Sequence, residues 1–176
     1  NDGIATWGRV MHDLGYQTSF LYGGYGYFDN MNAFYAGNGF TVLDRADIDH
    51  VRFENIWGVA DEHLFDQALI NLDQEAATGK PFFFHIMTTS NHRPFTYPDG
   101  RIDIPSPGKR AGGVKYADFA VGQFIEMARK KPWFDNTIFV FVADHCASSA
   151  GKAKIPVYRY HIPAIVYAPK LVAPQR

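Results

Sequence analysis

Apolar residues at Ile4, Trp7, Val10, Met11 and Leu14 recur every three to four positions, and Gly15 follows them. That spacing predicts a helix over residues 4–14 with the glycine as its stop. Residues 16–22 read as a strand running into Gly23-Gly24-Tyr25-Gly26, a loop whose glycines permit tight turns. Residues 31–35 predict one helical turn before Gly37-Asn38-Gly39, and residues 45–54 a polar loop. Residues 61–77 place Leu64, Phe65, Ala68, Leu69 and Leu72 on one face and end at Gly79-Lys80-Pro81, the pattern of an amphipathic helix. A strand over 82–87 follows. The Pro- and Gly-rich stretch 94–107 predicts a long excursion, of a length at which loops are usually functional or mobile. Residues 114–130 carry Tyr116, Phe119, Ala120, Phe124 and Met127 at helical spacing, with Lys131-Pro132 as the stop. Residues 137–142 and 162–167 are near-continuously apolar and read as buried strands.

Strands alternating with helices predict an α/β fold, a largely parallel sheet with helices on both faces. At 176 residues the size expectation is one domain, and neither a repeat nor a linker interrupts it. The chain opens on Asn1-Asp2-Gly3, and residues 168–176 follow a strand without a closing helix. The expectation is a piece cut at both ends, with a membrane anchor or signal upstream.

Charge narrows the partners. Lys and Arg number 17 against 18 Asp and Glu, and no basic cluster is long enough to track a phosphate backbone, which argues against nucleic acid. The single cysteine, Cys146, excludes an internal disulfide and a Cys-rich zinc site. No stretch reaches the roughly 18–20 apolar residues that span a bilayer.

Two segments at predicted strand ends carry chemistry, since α/β sheets bind ligands beyond the carboxyl ends of their strands. Asp144-His145 follows the strand over 137–142. A carboxylate with an imidazole suits Mn²⁺, Zn²⁺ or Fe, and Mg²⁺ less well, yet two ligands fall short of a catalytic site. The alternative is an aspartate that orders the turn after it and a hydrogen-bonded histidine. His92 ends the run Thr88-Thr89-Ser90-Asn91 after the strand over 82–87. Hydroxyl and amide groups there could surround a tetrahedral anion, with His92 donating to an oxygen or protonating a leaving alkoxide. Its other role is to pin the loop. Asp29, Asn30 and Asn32 follow the glycine loop and could reach substrate hydroxyls or serve as turn formers. The glycines themselves lack both the Walker spacing and the dinucleotide fingerprint. Lys152 and Lys154 offer anion contacts or solvated charge. His85 reads as a packing histidine, and Trp57-Gly58 before Asp61 as an aromatic anchor ahead of a capped helix.

Taken in order, several segments carry a resemblance: Phe28-Asp29-Asn30-Met31-Asn32 with Gly37-Asn38-Gly39-Phe40, Trp57-Gly58 and Asp61, then Thr88 through Phe95. Lys115-Tyr116-Ala117-Asp118, Pro132 through Thr137, Ala143-Asp144-His145 and His161-Ile162-Pro163 continue it. Together they resemble the sulfatase family of the alkaline phosphatase superfamily, closest to the lipoteichoic acid synthase and phosphoglycerol transferase group. The resemblance implies a metal-dependent enzyme that transfers or cleaves phosphate or sulfate esters. It implies Asp144 and His145 as ligands of one divalent ion, manganese first and Mg²⁺, Ca²⁺ or Zn²⁺ as alternatives, and His92 with Asn91, Asp29 and Asn30 as substrate contacts. A threonine nucleophile and a glutamate ligand would lie upstream of this chain, leaving it without a catalytic nucleophile and inactive alone. Where lipoteichoic acid synthases hold glycerol phosphate with a tryptophan and an arginine, Asp29 and Met31 stand here, which argues against lipoteichoic acid itself. A phosphoglycerol lipid or glycan is the implied substrate, and the bacterial cell envelope the implied location. A true sulfatase and a non-catalytic binding remnant are the alternatives.

Overall fold

The structure is a computed structural model and describes residues 2–146 and 157–174. The chain divides into two compact units, residues 1–128 and 129–176.

Unit 1 is built on a parallel sheet. Helix α1 (Trp7–Asp13) is capped by the Thr6 hydroxyl, which accepts from the Arg9 amide, and leads into strand β1 (Gln17–Tyr22). Helix α2 (Met31–Gly37) precedes strand β2 (Thr41–Leu43), and a short hairpin of β3 (Glu54–Asn55) and β4 (Gly58–Val59) precedes helix α3 (Asp61–Ala77). Strand β5 (Phe82–Met87) and helix α4 (Lys109–Ala128) complete the unit. The sheet order is β2-β1-β5, with β1 parallel to both neighbours and Phe20 beside Val42 and His85.

Alternation along β1 sends successive side chains to opposite faces. Phe20 and Tyr22 point to one face, where Phe20 stacks on Tyr35 of α2 at 3.6 Å between centroids and packs with Phe40, Phe83 and Met87. Ser19 points to the other, where its hydroxyl donates to Glu75 of α3. Helices therefore cover both faces of this sheet, as expected. The apolar face of α3 is buried as the spacing predicts, and Phe65 stacks on Phe124 of α4.

Three expectations change. Helix α4 begins at Lys109, five residues earlier than the apolar pattern indicates. Gly112 and Gly113 hide the start because they are poor helix formers; they are there because Tyr97 and Phe95 press on the helix where a Cβ would stand. The excursion 94–107 is tied down rather than loose. Tyr97 is 1% exposed, its amide donates to the Ser106 hydroxyl, its own hydroxyl donates to the Ile104 carbonyl, and its ring stacks on Tyr116.

The third change is in unit 2, where strands β6 (Phe139–Val142) and β7 (Ala164–Tyr167) pair antiparallel, so the parallel arrangement is that of unit 1. Nor is β6 a buried strand throughout. Phe139 is buried among Trp133, Phe134 and Tyr167, whereas Val140 and Val142 are exposed.

Candidate functional site

Two loops of unit 1 and one dipeptide of unit 2 carry the candidate residues. The first loop follows β5. Thr89 and Ser90 are buried: the Thr89 hydroxyl donates to the Val59 carbonyl, and the Ser90 hydroxyl accepts from the Asp61 amide at 3.0 Å. Asp61 opens α3 and answers in kind, its Oδ1 accepting from the amides of Thr89 (3.1 Å) and Ser90 (2.9 Å). These two hydroxyls face inward, so the expectation that the whole run surrounds an anion is corrected. Only its outer members, Asn91 and His92, are presented to solvent together with Thr88. Asp61 is fully buried, and burial pushes its carboxyl above the usual carboxylate value despite the amide and hydroxyl contacts that oppose it. Its Oδ2 has no partner among the described residues.

His92 ends this loop under tight local control. Its amide donates to the Thr89 carbonyl, and its Nδ1 lies 3.0 Å from the Arg93 carbonyl. A carbonyl can only accept, so Nδ1 carries the proton and Nε2 is left for a ligand. The Trp57 ring lies 3.8 Å from the imidazole, centroid to centroid. Trp57 is seated by the Asn55 side chain, which accepts from its amide at 2.8 Å. Beneath it, β4 crosses the end of β1 at backbone contact, with the Val59 amide donating to the Gly23 carbonyl. A Cβ on Gly24 would collide with the Trp57 carbonyl, and one on Gly58 with the Gly23 backbone. Gly24 and Gly58 therefore serve close packing of the two strand ends.

The second loop runs from Tyr25 to Asn32. Asp44 holds it from inside: Oδ2 accepts from the Gly26 amide (2.9 Å) and the Asn32 side chain (3.0 Å), and Oδ1 from the Ala46 amide. Burial alone would raise the Asp44 carboxyl, but the Asn32, Ala46 and Gly26 donors outweigh it and hold it below the usual value. Asn32 is thus a structural residue. Asp29 and Asn30 are exposed and both sit in the left-handed region, at φ 49° and 57°. Consecutive left-handed non-glycine residues are strained, and such strain clusters at functional sites. They line one end of a cleft of about 270 Å³ with Met31, Phe34 and Tyr35. Phe28, just before them, meets the Trp57 ring edge-on at 5.5 Å. Phe28 and His92 therefore meet the same indole, and Asp29 and Asn30 follow Phe28 in the chain.

A smaller cleft of about 140 Å³ between α3 and α4 is lined by Arg52, Glu62, Asp66 and Arg101, whose charges are already opposed, Arg101 to Glu62 at 3.1 Å. Burial depresses the His63 imidazole behind it. His85 is the packing histidine expected, against Phe20 and Tyr35.

In unit 2, Asp144 and His145 are exposed and close together, Oδ2 to Nε2 at 3.5 Å. The Asp144 Oδ1 accepts from the His145 amide, and His145 Nδ1 lies 2.7 Å from the Cys146 carbonyl. As at His92, the carbonyl fixes the proton on Nδ1. A carboxylate oxygen and an Nε2 lone pair thus stand side by side, a donor set that fits a divalent cation. No group of three or more metal-ligating side chains occurs among the described residues, so the pair by itself offers two donors. Lys152 and Lys154 lie outside the described residues.

Reasoning from sequence missed Asp44 and the inward role of Asp61, because an aspartate in a loop or at the start of a helix announces neither its burial nor its partner. It also missed that Trp57 touches His92, although Trp57 lay in a motif singled out for packing.

The comparisons agree with this architecture. The family model described as Sulfatase matches residues 2–176. Phosphoglycerol transferase I of Citrobacter koseri is 26% identical over 155 residues, 80% of this chain and 20% of that protein. The enzyme of the same name from Xanthomonas euvesicatoria is 23% identical over 96% of this chain and 26% of its own length. The chain thus spans about a fifth to a quarter of those relatives. Among solved structures, a protein in the alkaline phosphatase superfamily from Vibrio parahaemolyticus superposes with a TM-score of 0.89 at 38% identity, over 95% of this chain and 42% of that one. The lipoteichoic acid synthase LtaP from Listeria monocytogenes gives 0.79 at 25%, over 93% and 46%. With the family model matched over almost the whole chain, and the same α/β fold in both solved structures, the chain belongs to the sulfatase family, within the alkaline phosphatase superfamily of enzymes.

Proposed function

We propose that the protein containing this chain transfers or cleaves phosphate esters of the phosphoglycerol type, with His92 as a contact to the phosphate and Asn91, Asp29 and Asn30 as contacts to the rest of the head group. One observation carries the reading: His92 is an exposed side chain on a loop otherwise latched into the interior, with its proton fixed on Nδ1 and Nε2 left over. When protonated, Nε2 can donate to a non-bridging oxygen or to a departing alkoxide. The names of the curated relatives and of LtaP support phosphoglycerol chemistry over sulfate ester hydrolysis. The nucleophile belongs to the protein outside this chain. A threonine there would attack phosphorus and expel the donor's other alcohol, leaving phosphoglycerol on the threonine oxygen, and an acceptor alcohol or water would then displace the threonine and take up the phosphoglycerol.

Asp144 and His145 would hold one divalent cation, manganese by family resemblance, with further ligands from the same protein beyond this chain. Such an ion would stabilise negative charge on the transferring group. The protein would act at the bacterial cell envelope, on a phosphoglycerol lipid or glycan, with a membrane anchor preceding this chain. Among the described residues no helix is long and apolar enough to cross a membrane.

The test uses the full-length protein and a phosphodiester substrate. His92→Ala is expected to lower kcat/KM by about 10²- to 10³-fold; a change under about twofold would reject the phosphate contact. Asp144→Ala and His145→Ala are each expected to reduce the Mn²⁺ retained by the purified protein. Undiminished stoichiometry by elemental analysis would reject the ligand assignment.

A further inference from the structure

We infer that Trp57 is a positioning residue for His92, its indole face setting the plane in which the imidazole meets the phosphate. This deepens the reading above and rests on His92 being a phosphate contact. The two rings lie 3.8 Å apart at 45°, close enough for the indole to block the imidazole from turning to that side. His92 has its own tethers, through its amide and through Nδ1, but both run along the local backbone. Trp57 supplies a wall from a different part of the chain.

The wall is itself fixed. Asn55 accepts from the Trp57 amide and donates through its own side chain to the Thr96 hydroxyl. Gly24 lies against the Trp57 carbonyl so closely that no Cβ fits between them. The indole acts here through its face, not its N–H.

 Its Nε1 is buried and has no partner among the described residues, and a buried unpaired donor costs stability. The ring's contacts with Phe28 and His92 offset part of that cost. The opposite edge of the cluster is Phe28, packed edge-on against the indole and followed directly by the left-handed Asp29 and Asn30.

A double-mutant cycle in the full-length protein tests this, with bis(4-nitrophenyl) phosphate as substrate and Mn²⁺ supplied. Trp57→Ala is expected to lower kcat/KM by about tenfold to a hundredfold, the scale of a misplacement near 1 Å. Trp57→Phe, which keeps an aromatic face, should recover to within about threefold of wild type. In a His92→Ala background, Trp57→Ala should cost nothing further, because it acts through the imidazole. Equal losses in both backgrounds, or a silent Trp57→Ala beside a damaging His92→Ala, would overturn the positioning role alone. A silent His92→Ala would overturn the phosphate contact, and the positioning role with it. If Trp57→Ala lacks a cooperative thermal melt, Trp57→Leu takes its place, since it fills space but offers no ring face.

Discussion

The two loops that present the candidate residues of unit 1 are each held by one aspartate, yet the two aspartates live in different worlds. Asp44 grips the loop from Tyr25 to Asn32 with both oxygens engaged, and its donors hold the carboxyl below the usual value. Asp61 grips the loop after β5 with one oxygen, leaves the other unpartnered among the described residues, and is pushed up by complete burial. Both anchors accept backbone amides, so both order a loop. What differs is how fully the surroundings repay the desolvated charge, and that reverses the response to pH.

The largest effect should come from breaking the more buried anchor. Asp61→Ala strands the Thr89 and Ser90 amides in the interior and should destabilise by about 2–6 kcal/mol, at about 1–3 kcal/mol for each of the two orphaned groups. Urea denaturation followed by fluorescence measures it, and a loss below 1 kcal/mol would contradict the latch. Asp61→Asn keeps the accepting oxygen and should cost far less.

Asp44→Ala should cost about 1–3 kcal/mol, because its partners lie nearer to water, which can replace the lost acceptor. It should also weaken glycerol phosphate binding to the full-length protein, by loosening Asp29 and Asn30; unaltered calorimetric affinity would separate the anchor from the site.

The pH responses sharpen the contrast. Because the folded Asp44 titrates below its unfolded value, its contribution is present above about pH 4, the unfolded carboxylate range, and is lost as pH falls through the folded value. For Asp61 the sign is opposite: the folded state binds the proton more tightly, so its contribution is present below about pH 4 and is lost as pH rises through the folded value. Stability measured from pH 3 to 7 should therefore lose a rising component in Asp44→Asn and a falling one in Asp61→Asn. The same slope change in both variants would defeat the comparison.

The smallest effect concerns strain. Asn30→Gly relieves a left-handed residue but frees the unfolded chain, so a gain of about 0.5–1 kcal/mol is expected, with weaker glycerol phosphate binding as the cost. A destabilised variant would show that Asn30 is not strained.

Much of unit 1 was legible in the sequence because burial leaves a periodic trace. Residues 61–77 and 82–87 form the elements their patterns predict, bounds included. The beginning of α4 was not legible, since Gly112 and Gly113 break the local preference for the sake of Tyr97 and Phe95, which lie earlier in the chain. The direction of β7 relative to β6 was not legible either: an apolar run states that a strand is buried or paired, not with what orientation. Among the candidate residues, exposed chemistry was easier to find than its support. His92, Asp29 and Asn30 stand out as polar groups after strand-like runs, whereas Asp44, Asp61 and the face of Trp57 act through contacts between residues 12 to 35 positions apart. Periodicity carries no record of such pairs.

The tethering of Tyr97 has a consequence in the time domain. With its amide on Ser106, its hydroxyl on Ile104 and its ring against Tyr116, the stretch after His92 opens only when the phenol leaves its place beside Gly108 and Gly112. Its amide should therefore exchange with solvent deuterium at the slow rate of the neighbouring helix, not at that of a surface loop. Proteases would find few cutting points in a segment whose composition invites them. A chain with ten prolines and sixteen glycines can still tie down a long irregular stretch, provided one aromatic side chain is locked beneath it.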